Sequence, residues 1–156
     1  MSEFDLRALL QALAERDIRF VIIGGVAVVA HGHLRATADL DLVPDPDPDN
    51  LDRLIDALAA LHATLPTADD RAFNAAEDAK ILRQGGNVTV DTEHGGLDIV
   101  QLASGVPGYS QLAEDAVESE MLGIPVRICS LSRLREMKEV QGRTQDRADL
   151  EYLPED

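Results

Sequence analysis

Apolar residues along the chain switch between a helical and a strand period, and this switching predicts a mixed α/β fold. After Phe4, leucines recur at helical spacing, and Ser2 with Asp5 has the spacing of a capping box at the start of this helix. The β-branched run from Ile18 to Ile23 has the composition of a strand. In chain order, the pattern predicts a helix to about residue 16, a strand at 18–23, a helix at 26–31, a strand at 38–43 and a helix at 51–61. A strand hairpin at 88–92 and 97–102, a short helix at 109–117, a strand pair turning at 123, and helices at about 131–141 and 145–153 are predicted to follow.

Two segments between these elements have no clear period. Residues 64 to 80 are predicted to form a loop with some helix. The Asp-Pro run from Asp45 to Asp49 lacks the mid-loop Gly and the terminal Glu of a calcium loop, so it is predicted to be a solvated linker. No repeat and no domain boundary is apparent. We therefore expect one domain over residues 1–156, with the helices at about 131–153 packed on it.

Composition narrows the class of protein. The apolar fraction of 45% is mainly aliphatic, with three Phe, two Tyr and no Trp, so stacking on nucleic-acid bases is not expected. The single cysteine, Cys129, follows an apolar run and is predicted to be a buried structural thiol rather than a nucleophile. The sequence has no leader and no run of about 18 apolar residues, so we expect a cytoplasmic protein.

The formal net charge is −15, from 29 acidic residues against 14 Lys and Arg. A surface of this sign repels nucleic-acid backbones and anionic membranes, so neither a membrane partner nor a broad DNA-binding surface is expected. The charge is uneven, because residues 39 to 56 carry seven Asp and one Arg, whereas residues 127 to 147 carry six Lys or Arg. An acidic and a basic segment could therefore face each other across a site for a metal and a phosphate.

A glycine pair, Gly24-Gly25, lies between the first strand and a short helix. Glycine lets the backbone approach a ligand closely, and the free N–H groups at a helix N-terminus attract phosphate oxygens. The pair is therefore a candidate phosphate-binding turn. A strand-to-helix turn without a ligand is the alternative.

Asp39 and Asp41 are two residues apart on a predicted strand, which places both carboxylates on one face. Adjacent carboxylates oppose folding unless a cation neutralises them, and Mg²⁺ binds through one or two carboxylates together with substrate phosphates. The pair therefore predicts a site for Mg²⁺ or Mn²⁺. Two solvated Asp on an edge strand are the alternative, although the apolar flanks of the pair disfavour it.

Asp98 is the best candidate for a third acid, because it interrupts an otherwise apolar strand and needs a partner there. It is predicted to ligate a metal or to accept the proton of an attacking hydroxyl. An Asp satisfied by backbone N–H groups is the alternative, and Asp91 is the reserve candidate.

Three cations, Lys138, Arg35 and Arg143, are candidates to meet a triphosphate. Lys138 lies beside the apolar stripe of its predicted helix, where the alternative is a snorkelling Lys whose stem covers the core. Arg35 and Arg143 are predicted phosphate clamps in a catalytic domain, and ion-pair partners of acids otherwise. Asp146 and Asp149 are expected to orient these cations or to cap the last helix.

His31 and His33 have no further His or Cys nearby at ligand spacing. Packing at a helix end is therefore predicted for both, rather than a metal site.

The turn Gly24-Gly25, followed by Arg35, Thr37 and the Asp39-Leu-Asp41 strand, together with a later strand Asp, resembles the nucleotidyltransferase superfamily. The closer resemblance is to the minimal bacterial branch of AbiEii-type and MenT-like toxins. The closing run around Lys138, Gly142-Arg143 and Asp146-Arg-Ala-Asp149 is similar to that branch as well. The resemblance covers about residues 18 to 153 with an unmatched middle.

This resemblance implies a polymerase-β-like nucleotidyltransferase fold that transfers a nucleoside monophosphate from an NTP to a hydroxyl of RNA, such as tRNA, or of protein. It implies metal ligation by Asp39, Asp41 and Asp98, with Lys138 as a further catalytic residue. The nucleotide-binding residues that it implies are Gly24, Gly25, Arg35, Thr37 and Arg143. Many relatives have Ser where this chain has Gly25, so one side-chain contact to the phosphate is missing.

The resemblance also implies a toxin–antitoxin or phage-defence context, with a cognate antitoxin or toxin protein as possible partner. Two alternatives stay open. One is a non-catalytic partner or regulator in such a pair, because the acidic surface suits a basic protein. The other is an aminoglycoside-type nucleotidyltransferase, because the acidic surface would attract a cationic drug.

Overall fold

The computed structural model describes residues 3–67 and 69–155, and over these residues it contains seven helices and six strands. The helices are α1 (Leu6–Ala14), α2 (Gly24–Ala30), α3 (Pro48–Ala60), α4 (Ala79–Arg83), α5 (Tyr109–Glu114), α6 (Leu131–Gln141) and α7 (Thr144–Tyr152). The strands are β1 (Phe20–Ile23), β2 (Asp39–Pro44), β3 (Val88–Thr92), β4 (Gly95–Ile99), β5 (Val117–Met121) and β6 (Ile124–Ile128).

The six strands form one mixed sheet in the order β3-β4-β2-β1-β6-β5. β2 pairs in parallel with β4 and antiparallel with β1, and β1 pairs in parallel with β6. The two hairpins β3–β4 and β5–β6 form the outer antiparallel pairs. This mixed sheet with its helices confirms the predicted mixed α/β fold class.

One face of the central strands forms the floor of the core. Ile22, Leu42 and Ile99 lie side by side on β1, β2 and β4, and none of them is exposed. The leucines of α1 complete this core from the helical side, since Leu9 and Leu13 are fully buried as well. The neighbouring residues on β2 point to the opposite face, because side chains alternate along a strand.

Three predicted boundaries differ from the structure at helix starts. Asp5 is itself the N-cap of α1 and accepts a hydrogen bond from the Ala8 amide, whereas Ser2 of the predicted capping box lies outside the described residues. α2 begins at Gly24, two residues earlier than predicted. α3 begins at Pro48, inside the predicted linker, because Asp47 caps the helix and proline suits its first turn.

The middle of the chain is more ordered than its sequence indicates. Thr64 forms isolated bridges with Ala72 and with Asp91 of β3, and Arg71 donates two hydrogen bonds to Asp78 just before α4. β4 begins at Gly95 rather than at residue 97, so the hairpin turn is shorter than predicted.

No helix in the described part of the chain is both long enough and apolar enough to cross a membrane.

Cys129 follows β6 and is fully buried. Burial raises the pKa of its thiol to about 12, with a further contribution from the charge of Asp115. The prediction of a buried structural thiol is therefore confirmed, since an active cysteine needs a lowered pKa and access to solvent.

Candidate active site

The predicted acids lie on neighbouring strands, on the face of the sheet opposite Ile22, Leu42 and Ile99. Asp41 on β2 is directly opposite Asp98 on β4, and on its other side it is opposite Ile23 of β1. Asp39 is two residues before Asp41 and therefore projects from the same face. The pairing of β2 with β4 thus brings Asp98 beside Asp39 and Asp41, which lie more than fifty residues earlier in the sequence.

These acids line a cavity of about 460 Å³ between the sheet and α6. Ligand pockets in proteins commonly have volumes of about 300–1,000 Å³, so the cavity is large enough for a small ligand. Its charged lining residues are three acids on the sheet and two cations on the helical side, and the rest of the lining is mainly apolar. The lining residues are Ile23, Gly24, Asp39, Asp41, Asn87, Thr89, Asp98, Val100, Ala103, Val106, Leu134, Met137, Lys138, Gln141 and Arg143.

Gly24 and Gly25 are both closely approached by side chains at the start of α2. Gly24 has a φ of +68°, and the Asp41 carboxylate occupies the space that a Cβ would need. At Gly25, a Cβ would lie 2.7 Å from Thr37 Oγ1 and 3.1 Å from Arg35 Nη2. The glycine pair therefore lies within direct reach of the Asp41, Thr37 and Arg35 side chains, three of the residues predicted to meet a nucleotide.

The carboxylate of Asp41 has a strongly raised pKa. Burial, followed by the charges of Asp98 and Asp39, raises its pKa from 3.8 to about 7. Among the described residues, no hydrogen bond or ion pair reaches the carboxylates of Asp39 and Asp41, and the Asp98 carboxylate receives only a hydrogen bond from Thr89. Their negative charge is therefore largely uncompensated by protein groups, which is the condition that a bound cation relieves.

The carboxylates do not form a complete metal site by themselves. Within residues 3–67 and 69–155, no three His, Cys, Asp or Glu side chains are grouped closely enough to hold a metal ion. Asp39 leans over Gly96 on β4, whereas Asp41 leans toward Gly24 on its other side. This donor set fits Mg²⁺ or Mn²⁺ bound through one or two carboxylates, with substrate oxygens supplying the remaining ligands.

Lys138 is buried at the opposite wall and is 4% exposed. Its Nζ lies 3.0 Å from Asp146 Oδ1 and 3.2 Å from Asp149 Oδ2, and both acids are fully buried on α7. The alternative of a snorkelling Lys with a solvated ammonium is therefore wrong. A buried ammonium needs such partners, because an unpaired charge away from water is strongly unfavourable.

The two arginines that were predicted to clamp phosphate each pair with one of these acids, Arg35 with Asp149 and Arg143 with Asp146. Arg35 Nη2 donates to Asp149 Oδ2 at 3.1 Å, and Arg35 Nε lies 2.8 Å from Asp149 Oδ1 with its N–H directed elsewhere. Arg143 Nε donates to Asp146 Oδ2 at 2.7 Å, while most of the Arg143 side chain is exposed at the cavity. The expectation that Asp146 and Asp149 orient these cations is confirmed.

The ionic cluster keeps both α7 acids ionised. Burial raises the pKa of Asp146, but hydrogen bonds from Arg143 and Lys138 outweigh it and lower the pKa to about 2. Burial alone would raise the pKa of Asp149 as well. Hydrogen bonds from Gln145, Arg35 and Lys138 outweigh burial, so the pKa of Asp149 is lower than its ordinary value. The cavity therefore has an acidic wall on the sheet, and the two cations on its other wall, Lys138 and Arg143, are paired with buried acids of α7.

The two histidines pack as predicted. His31 Nε2 lies 2.7 Å from the carbonyl oxygen of Cys129, and the ring of His33 stacks on Tyr152 at a centroid distance of 4.8 Å.

Sequence reasoning missed two residues that shape the acidic wall, Thr89 and Gly96. Thr89 Oγ1 donates to Asp98 Oδ1 at 2.7 Å, and Gly96 leaves the space into which Asp39 leans. Their roles depend on which strand lies beside which, and the sequence pattern contains no signal for that. Asp91, the reserve acid, lies on β3 opposite Gly96.

Neither a protein-family model nor a curated protein matches the sequence. Solved structures do match. A candidate nucleotidyltransferase from Thermotoga maritima aligns with a TM-score of 0.59 and 13% identity, over 94% of this chain and 88% of that one. ANT(2″)-Ia in complex with adenylyl-2″-tobramycin aligns with a TM-score of 0.60 and 17% identity, over 94% and 83%.

The solution structure of the antibiotic-resistance factor ANT(2″)-Ia aligns with a TM-score of 0.62, again at 17% identity, over 94% of this chain and 78% of that one. At such identities the likeness shows the fold alone. The chain therefore has the fold of the nucleotidyltransferases, as the sequence resemblance implied.

Proposed function

We propose that this protein is a metal-dependent nucleotidyltransferase that moves a nucleoside monophosphate from an NTP to a hydroxyl and releases pyrophosphate. The observation that carries this proposal is the placement of Asp41 directly opposite Asp98, with Asp39 on the same face, in a cavity beside Gly24. The fold of the structural neighbours supports it. An acidic cluster alone would not, because many surface acids have no ligand.

Asp39 and Asp41 would hold Mg²⁺ or Mn²⁺, with Asp98 as a third ligand or as the base. When bound, such an ion neutralises phosphate charge and orients the nucleotide. In the reaction, the acceptor hydroxyl oxygen forms a bond to the α-phosphorus. The bond from that phosphorus to the oxygen that bridges to the β-phosphorus breaks, and pyrophosphate leaves with the bonding electrons. Asp98 accepts the hydroxyl proton, so atoms and charge balance.

The triphosphate would lie between the Gly24-Gly25 turn and the last two helices. Thr37 and Arg35 approach Gly25 from one side, and Arg143 is exposed at the other side of the cavity. Lys138 has three N–H donors, of which Asp146 and Asp149 engage two. Its remaining donor would meet a phosphate oxygen. Positioning and charge neutralisation of this kind supply most of the acceleration in phosphoryl chemistry.

For the acceptor, we propose a hydroxyl of RNA, such as tRNA, or of protein, within a toxin–antitoxin or phage-defence system. The resemblance to the AbiEii-type and MenT-like branch motivates this assignment. A cognate antitoxin or toxin would then be the protein partner, and cytoplasmic location follows from the same assignment.

A second candidate acceptor is a cationic aminoglycoside. Two observations favour it: the likeness to ANT(2″)-Ia, whose structure contains adenylyl-2″-tobramycin, and the net charge of −15, which attracts polycations. The chemistry at phosphorus would be the same, and only the group that brings the hydroxyl would differ.

The test is transfer of label from each of the four α-³²P-labelled NTPs, with Mg²⁺ or Mn²⁺, to total RNA, to an RNA-free protein extract and to tobramycin. We expect a labelled product with wild-type protein and none with Asp41→Asn. Asp56→Asn is the matched control, because Asp56 is an exposed acid on α3 that does not line the cavity. It should label as the wild type does.

Nuclease and protease digestion of the product then identify the acceptor. Loss of label on nuclease treatment supports RNA, loss on protease treatment supports protein, and labelled tobramycin supports the second candidate. If no Asp41-dependent label forms with any nucleotide and acceptor, the catalytic proposal fails. A non-catalytic partner in a toxin–antitoxin pair would then be favoured, and co-purification with a basic protein would test that alternative.

A further inference from the structure

Thr89 of β3 lies directly opposite Asp98 of β4, and its hydroxyl donates a hydrogen bond of 2.7 Å to Asp98 Oδ1. Both side chains line the cavity. Since Asp41 lies on the other side of Asp98, the three residues form one row across β3, β4 and β2. The row consists of a hydroxyl, a carboxylate and a second carboxylate.

The hydrogen bond from Thr89 restricts the orientation of the Asp98 carboxylate. Among the described residues, the Thr89 hydroxyl is the one group that hydrogen-bonds to the Asp98 side chain. Like charges directly opposite one another on paired strands repel, so the Asp41 carboxylate favours rotation of Asp98 away from the shared face. The Thr89 hydroxyl opposes that rotation and occupies Oδ1, which leaves Oδ2 for a cation or a proton.

Thr89 contributes little else to the fold. Its side chain is exposed, while its neighbours Val88 and Val90 are buried on the opposite face of β3. The β3–β4 hairpin pairs over five residue positions through its backbone, and this pairing does not need a hydroxyl at position 89. Loss of the hydroxyl should therefore change the site more than the stability.

We propose that Thr89 is a positioning residue that fixes Asp98 in its metal-binding and proton-accepting orientation. This inference rests on the proposed function, because it assigns Thr89 a role toward the same cation. Groups that orient a ligating carboxylate typically change metal affinity by about 10–100-fold when they are removed.

The test compares Thr89→Val, which keeps the β-branched shape, with Thr89→Ser, which keeps the hydroxyl. Ser119→Ala is the control, because it removes a hydroxyl from exposed strand β5 outside the cavity. Mn²⁺ binding is measured from the electron paramagnetic resonance signal of free Mn²⁺, with and without each of the four α,β-methylene NTPs. Label transfer at saturating Mn²⁺ is measured in parallel.

We expect Thr89→Val to weaken Mn²⁺ binding by about 10–100-fold, and Thr89→Ser to restore it to within about threefold of wild type. Ser119→Ala should bind as the wild type does. Unchanged Mn²⁺ binding in Thr89→Val would overturn the inference, and so would a Ser variant as weak as the Val variant. If Asp41→Asn loses Mn²⁺ binding but Thr89→Val does not, the proposed metal centre stands and only the role of Thr89 is refuted. A wild type that binds no Mn²⁺ under any condition would refute the proposed metal centre and this inference with it.

Discussion

The carboxylate of Asp39 occupies the space directly above Gly96, its pairing partner on the parallel strand β4. A Cβ at position 96 would overlap Asp39 Oδ1. Gly96 therefore gives Asp39 room to lean toward β4 on the face that holds Asp41 and Asp98. Glycine weakens the interior of a strand, so its presence here calls for a local reason, and this close approach supplies one.

Replacing Gly96 with Ala should displace the Asp39 carboxylate without unfolding the sheet. The backbone at this position does not have a positive φ, and alanine suits a strand better than glycine. We expect Mn²⁺ affinity and label transfer to fall by about tenfold or more, with the melting temperature unchanged or higher.

Gly108→Ala is the control for this substitution, because no atom lies within 4 Å of the added Cβ and the backbone φ is −67°. It should keep both affinity and rate. If Gly96→Ala keeps both the Mn²⁺ affinity and the rate of label transfer, neither of them depends on the observed position of the Asp39 carboxylate.

Lys138→Met should destabilise the protein strongly. The substitution keeps the apolar stem but removes the ammonium that lies within 3.0 and 3.2 Å of two fully buried carboxylates. Breaking a buried ion pair by removing one partner costs about 3–5 kcal/mol in the free energy of unfolding. Urea denaturation monitored by circular dichroism measures this loss.

Lys80→Met is the matched control, since Lys80 forms an exposed ion pair with Glu77 at a spacing of three residues. Exposed pairs of this kind contribute about 0.3–0.5 kcal/mol. Equal effects of the two substitutions would contradict the assignment of Lys138 to a buried cluster.

Asp41 should make the metal-free protein less stable as the pH rises. Its pKa of about 7 lies above its ordinary value of 3.8, so the folded protein binds this proton more tightly than the unfolded chain does. The stabilising contribution is complete below about pH 4 and is lost progressively up to about pH 7. The shift corresponds to at most about 4 kcal/mol.

Asp41→Asn should therefore be more stable than wild type at pH 8 in EDTA, and the difference should disappear near pH 4. Urea denaturation between pH 4 and 8 measures it, with Asp56→Asn as the control for loss of a carboxylate outside the cavity. Mg²⁺ with NTP should raise the stability of the wild type at pH 8 and leave Asp41→Asn unchanged. Parallel pH profiles for wild type and Asp41→Asn would refute the raised pKa.

Cys129 should be inert in the folded protein. Its thiol is fully buried, and a pKa of about 12 leaves about one thiolate in 10⁵ at pH 7. Ellman's reagent should react with it only in denaturant, in a one-to-one ratio. Rapid reaction of the native protein would place the thiol at the surface instead.

The features that the sequence determined by itself depend on residues that are close together along the chain. The alternation around Leu40 and Leu42 requires Asp39 and Asp41 to share the opposite face, because the pleat of a strand is a property of consecutive residues. The bounds of α6 and the turn at Gly123 follow in the same way from helical periodicity and from a residue suited to positive φ. These features required no knowledge of distant contacts.

Only the tertiary structure decided which of these groups meet. Asp98 faces Asp41 because β2 pairs with β4 across fifty intervening residues, and Thr89 reaches Asp98 because β3 lies outside β4. Lys138 lies against Asp146 and Asp149 because α7 folds back on α6. Strand order and helix packing are set by the burial of the whole apolar surface, a sum over distant residues that no local pattern contains.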